Sequence, residues 1–66
     1  MLVKRLRVWV QNEANRPREY EDVKIAYFCE ERWPYLEITL PDDGDGVVVT
    51  IVIPLSMVEE MVYIRA

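Results

Sequence analysis

The sequence predicts an all-β domain, either a small antiparallel meander or a barrel-like curled sheet, of about five strands with one short helical turn before the last strand. Three observations support this fold class. β-Branched residues dominate, with ten valines, five isoleucines and two threonines, and such residues favour strands. Apolar and polar side chains alternate with a period of two in several segments. Both glycines fall in one acidic turn over residues 41–46, which is typical of a hairpin.

Two strands are predicted in the first half of the chain, separated by a long loop. The first spans residues 2–11 and the second residues 23–30, because apolar side chains recur at alternate positions in both. Residues 12–22 lack this periodicity and are expected to form a loop. Cys29 is interpreted as a small buried side chain of the second strand. The side chains expected on the inner face of the first strand are Leu2, Leu6, Val8 and Val10.

The second half is expected to continue the sheet through a hairpin. Residues 35–40 alternate again, with Leu36, Ile38 and Leu40 expected to face inward. After the acidic turn, the β-branched run at residues 47–53 predicts the fourth strand.

A helical turn is predicted between the fourth and fifth strands. Pro54 ends the fourth strand, and Ser56 and Glu59 form an S-x-x-E capping box, which predicts a turn over residues 56–60. The last strand is expected at residues 61–65. The side chains expected to share one of its faces are Val62 and Ile64.

The run at residues 47–53 is apolar on both faces, although an antiparallel strand with one hydrated face should alternate. A single domain of 66 residues has a marginal core, and association is one remedy. We therefore expect a small binding protein that works as a homo-oligomer. The expected contact residues are Val48, Thr50 and Val52, with Trp33 and Tyr35 as an aromatic rim of the kind enriched at interfaces.

The composition argues against catalysis, cofactors and metal sites. The chain has no histidine and one cysteine, so the side chain most often used in acid–base catalysis, an internal disulfide and an N/S zinc site are lacking. Its twelve carboxylates could contain a catalytic pair, but they lie mainly in predicted turns and on outward faces. Ser56 is better explained as a helix cap than as a nucleophile. The acidic turn lacks the twelve-residue spacing of an EF-hand loop. We expect a non-enzymatic protein that has no cofactor and no metal.

The N-terminal segment has no uninterrupted apolar stretch of the kind found in signal peptides, and no stretch is long enough to span a membrane. With a single cysteine, these features predict a cytoplasmic protein without membrane partners.

Charge is distributed unevenly along the chain, whose formal net charge is −4. Residues 1–33 carry seven basic against six acidic groups, and residues 34–66 carry one basic against six acidic groups. An acidic total does not favour binding of a nucleic-acid polymer, but arginines beside an exposed aromatic suit a nucleotide or small anion. The alternative interpretation is that these arginines pair with glutamates on neighbouring strands. The candidate ligand residues are Arg5, Arg7, Trp9, Arg16 and Arg18.

Two resemblances add a further alternative. Residues 53–59, Ile-Pro-Leu-Ser-Met-Val-Glu, resemble the strand-to-helix corner of pleckstrin-homology-like and GRAM-like domains, from which no function is carried over. In size, charge and β content the chain is similar to small phage-encoded inhibitors of bacterial defence systems. That resemblance implies binding to a host protein through acidic or aromatic groups. Those groups are Asp42, Asp43, Asp45, Glu59 and Glu60, or Trp33 and Tyr35.

Overall fold

The described part of the chain forms one antiparallel sheet of five strands, which confirms the predicted fold class. A computed structural model describes residues 1–28, 32–42 and 44–66. The strand order across the sheet is β4-β3-β2-β1-β5, and β4 and β5 do not pair to close it. The elements are β1 (Leu2–Val10), β2 (Arg18–Phe28), β3 (Tyr35–Thr39), β4 (Thr50–Pro54), a 3-10 turn (Leu55–Met57) and β5 (Val58–Arg65).

The sheet curls around its core. The Tyr27 hydroxyl donates to the Met61 sulfur at 3.5 Å although β2 and β5 are not neighbours in the sheet. Partial burial there, together with nearby Tyr63, raises the pKa of Tyr27. The Gln11 amide donates to the Met57 carbonyl at 2.7 Å and so ties the 3-10 turn to the end of β1. The buried side chains inside this curve are Val3, Leu6, Val8, Val10, Val23, Ile25, Leu36, Ile38 and Ile53.

The alternation of buried and exposed side chains shifts by one residue along β1 and β2. The prediction that Leu2 faces inward is therefore wrong. Val3 is buried and Leu2 is 65% exposed, whereas strict alternation from Leu6 places Leu2 inside. Asp22 has a φ of 53°, and the β1–β5 register shifts between Val3 and Arg5. This irregularity exchanges the two faces of the paired strands, because one extra residue reverses side-chain direction.

The loop between β1 and β2 is shorter than predicted, because β2 begins at Arg18. Residues 18–22 pair with β1, and Glu19 and Glu21 face outward from the strand opposite Arg7 and Arg5. Their polar side chains hide the strand pattern in the sequence. Cys29 and Glu30, placed by the sequence at the end of the second strand, lie outside the described residues.

The valine run is a strand only in its second half. β4 begins at Thr50, and Val47, Val48 and Val49 are 61%, 64% and 48% exposed. The prediction that these valines form a buried strand is therefore wrong for a single copy. Just after β3, the Leu40 amide donates to the Val49 carbonyl at 3.0 Å. Beyond it the chain turns away, since the Asp42 carboxylate accepts a hydrogen bond from the Gly44 amide at 2.9 Å.

The turn before the last strand lies earlier than expected and has no side-chain cap. It follows Pro54, and no side chain accepts a capping hydrogen bond there, so the interpretation of Ser56 as a cap is wrong. β5 starts directly after the turn at Val58. Val62 and Ile64 share its outer face as predicted, opposite Arg7 and Arg5.

Candidate functional site

One edge of the sheet is formed by β4, which pairs only with β3 among the described residues. The Val49 carbonyl and the Leu55 amide both bond to the β3 side, at 3.0 Å each. Because backbone direction alternates along an antiparallel strand, Ile51 and Ile53 also point toward β3. Within β4, the backbone groups that point away from the sheet are therefore those of Thr50, Val52 and Pro54; Val48 would join them if the strand were extended by two residues.

The β4 edge is apolar as well as unpaired. Residues 46–58 contain no charged side chain. Val48 and Val52 are 64% and 57% exposed, and Thr50 is also exposed. The nearest carboxylate on the same face is Glu37, one strand further in and opposite Val52. Uncharged edge strands with outward-pointing backbone groups are templates for pairing with another chain.

The aromatic rim lies at the C-terminal end of β4. Tyr35 pairs with Pro54 on one side and Phe28 on the other. The rings of Phe28 and Tyr35 stack with centroids 4.8 Å apart and an interplanar angle of 16°. Trp33 precedes this pair and is 73% exposed. The structure therefore brings all five predicted contact residues to the β3–β4 end of the sheet.

The opposite edge, β5, carries charges. Glu60 faces Trp9, and Glu59 lies where the β1–β5 register shifts. Val62 and Ile64 are 50% and 56% exposed but adjoin Arg7 and Arg5. Both bulges and charges make an edge a poor template for strand pairing.

The arginines of β1 lie on the outer face between two shallow clefts. Arg5, Arg7 and Trp9 share this face, as predicted. A cleft of about 240 Å³ lies on the β2 side, next to Glu19 and Glu21, and one of about 200 Å³ lies on the β5 side. Arg7 Nε lies 2.7 Å from Glu19 Oε1. Within the described residues Arg5 has no ion pair.

Arg18 and Arg16 do not join this group. Arg18 pairs with Val8 and therefore lies on the opposite face of the sheet from Arg7. Its Nε donates to both Glu13 carboxylate oxygens, at 2.8 and 3.1 Å. This hydrogen bonding lowers the pKa of Glu13 and raises that of Arg18. Arg16 lies in the loop, where its amide donates to the Glu13 carbonyl at 3.0 Å. The predicted pairing with a glutamate on a neighbouring strand thus holds for Arg7, whereas Arg18 pairs with Glu13 of the preceding loop.

The acidic groups of the inhibitor hypothesis are divided between two regions. Asp42 and Asp45 lie in the β3–β4 turn, and Glu59 and Glu60 lie on the opposite edge strand. Asp43 lies outside the described residues.

Among residues 1–28, 32–42 and 44–66, no cluster of three or more acidic or cysteine side chains is arranged to hold a metal ion. Within the same ranges, no helix has the length and apolar character needed to cross a membrane. Comparison with known proteins found no matching family model, no curated relative and no similar solved structure.

Sequence reasoning missed the Glu13–Arg18 pair and the exposure of Val62 and Ile64. The pair joins residues five apart across a turn with positive φ at Asn12, Ala14 and Asn15. Two asparagines so close together indicate a tight turn, and this is the signal that was available. The exposure of Val62 and Ile64 follows from the position of β5 at the edge of the sheet. No local sequence pattern reports the strand order.

Proposed function

We propose that this chain is a non-enzymatic binding protein that acts as a homo-oligomer through its β4 edge. The observation that supports the proposal is that β4 is an edge strand whose outward backbone groups have no partner among the described residues. Residues 46–58 also contain no charged side chain. Such an edge pairs readily with another strand.

The exposed side chains add a second driving force. Burying a valine is worth about 1.5–3 kcal/mol when it goes from full exposure to full burial. Val48, Val49 and Val52 are each about half to two-thirds exposed, so association would recover part of that free energy. It would also pair the outward backbone groups of Thr50 and Val52, which have no partner among the described residues of a single copy.

Sedimentation velocity over about 1–200 μM tests the proposal. The monomer mass is 7.9 kDa, and we expect a species of a small multiple of this mass whose fraction rises with concentration. A single species of monomer mass over the whole range would overturn the proposal.

A further inference from the structure

We infer that the partner of β4 is the β4 strand of a second copy, paired antiparallel with the two-fold axis at Thr50. The inference rests on the proposed function and specifies the register of its contact. Two five-stranded sheets would then join into one continuous sheet across the axis.

The edge offers a short ladder with defined ends. The outward-pointing residues of β4 with both an amide and a carbonyl are Thr50 and Val52, and pairing that extends the strand by two residues would add Val48. On one side of them Gly46 has a φ of 74°, which leaves the extended conformation. On the other side Pro54 has no amide hydrogen to donate. Any partner strand is therefore limited to three complete positions.

Only one symmetric register uses all three positions on both copies. With the axis at Thr50, Thr50 faces Thr50 of the second copy, and Val48 faces Val52. Each such pair exchanges two backbone hydrogen bonds. Moving the axis to Ile51 pairs Val48 with Pro54 and leaves carbonyls without donors. Moving it to Val49 requires Gly46 to join the ladder, and the φ of 74° at Gly46 is not that of an extended strand.

The same register also matches the side chains. On the outer face, Val48 would contact Val52 across the junction, and the two threonines would form a central pair of a kind that stabilises sheets. On the inner face, Val49 would lie opposite Ile51, extending the apolar core past the open edge. No like charges come together at any of these positions, although the chain as a whole carries a net charge of −4.

Pairing of β4 with β5 of another copy is disfavoured. That contact joins two different surfaces and so generates a ring or an open chain of molecules rather than a two-fold dimer. It would also place Glu59, Glu60 and Arg65 beside an uncharged strand that offers them no partner. The symmetric contact brings no charge to the junction.

Cysteine cross-linking tests the register in a Cys29→Ser background. In Thr50→Cys, the two introduced residues would lie about 5.5 Å apart between Cα atoms, within disulfide range. In Val48→Cys or Val52→Cys, identical positions would be about 14 Å apart along the strand. Thr50, Val48 and Val52 are exposed, so all three variants should retain the fold.

We expect mild oxidation to give a covalent dimer from Thr50→Cys, none from Val48→Cys or Val52→Cys alone, and one from an equilibrated mixture of those two. Sedimentation of the unoxidised proteins accompanies the experiment. An oligomer that Thr50→Cys fails to cross-link overturns this register while the proposed function stands. A monomer in sedimentation overturns both.

Discussion

The two edges of this sheet differ in how they are protected against strand pairing. The β5 edge carries Glu59, Glu60 and Arg65 and has register shifts near both ends of its pairing with β1. The β4 edge is regular where it pairs with β3 and has no charged side chain. Natural sheets block unwanted pairing with bulges and charges. The contrast supports the proposal that β4 is the edge through which copies associate.

The largest expected effect comes from placing a charge on the available edge. Val52→Asp should weaken association roughly a hundredfold or more, because burying an unpaired carboxylate costs several kcal/mol. The monomer fold should persist, since Val52 is 57% exposed. Sedimentation and far-ultraviolet circular dichroism measure the two effects separately.

Val62→Asp is the matched control, because Val62 is also a valine on the outer face of an edge strand and is 50% exposed. Association should be unchanged in this variant. Equal dissociation of both variants would mean that the two edges do not differ as described.

Removing the acidic side chains from the β5 edge should increase association. Glu59→Thr with Glu60→Thr leaves β5 with a single charged residue, Arg65. An exposed edge without charges is a site of aggregation, so we expect species larger than those of the parent, measured by light scattering. A size distribution identical to that of the parent would show that the bulges alone protect β5.

A smaller effect, on the free energy of unfolding, is expected at Asp22 of β2, where the two faces of the paired strands are exchanged. Asp22 has a φ of 53°, which a β-branched residue adopts only with strain. Asp22→Val should lower the free energy of unfolding by about 1–2 kcal/mol, whereas Asp22→Gly should change it by less than about 0.5 kcal/mol. Urea denaturation in the Val52→Asp background avoids any contribution from association. Equal values for both variants would contradict a conformational role for this position.

The smallest expected effect is a pH dependence of stability that comes from the Glu13–Arg18 pair. This pair belongs to neither edge strand, so association should not change. The Glu13 pKa is lowered from 4.5 by its hydrogen bonds to Arg18. A lowered folded-state pKa stabilises the fold above the unfolded-state value, and that stability is lost as the pH falls through the folded-state value. The melting temperature of the parent should therefore fall more below about pH 4.5 than that of Glu13→Gln. Parallel curves for the two proteins would contradict this interpretation.

The sequence was informative wherever side-chain alternation follows burial. Leu36 and Ile38 are buried as predicted because β3 is regular and has a neighbour on each side. The pattern failed at Leu2, because the change of face at Asp22 is a backbone event that leaves no periodic signal. It failed at residues 18–22 because a strand with one hydrated face and few apolar side chains has the composition of a loop.

The contact residues were named from the sequence for a reason that the structure replaces. The sequence predicts that Val48, Thr50 and Val52 are buried by a partner, because residues 47–53 have the pattern of a strand that is apolar on both faces. In the structure these residues lie at the edge of the sheet, and the backbone groups of Thr50 and Val52 point away from it. Their exposure can be predicted only when it is known that β4 is an edge strand. Strand order depends on contacts between distant segments, and no local pattern in this chain reports it.

The position of β1 has a consequence for the order of folding. β1 lies between β2 and β5. Because β5 is the last strand of the chain, the pairing of β1 with β5 closes a long loop that contains all the other strands. Contacts of such high sequence separation slow folding. Until β5 docks, β1 is itself an edge that borders the forming core. Arg5 and Arg7 alternate along that edge, so they would discourage partly folded chains from associating there while leaving the β4 edge free to do so.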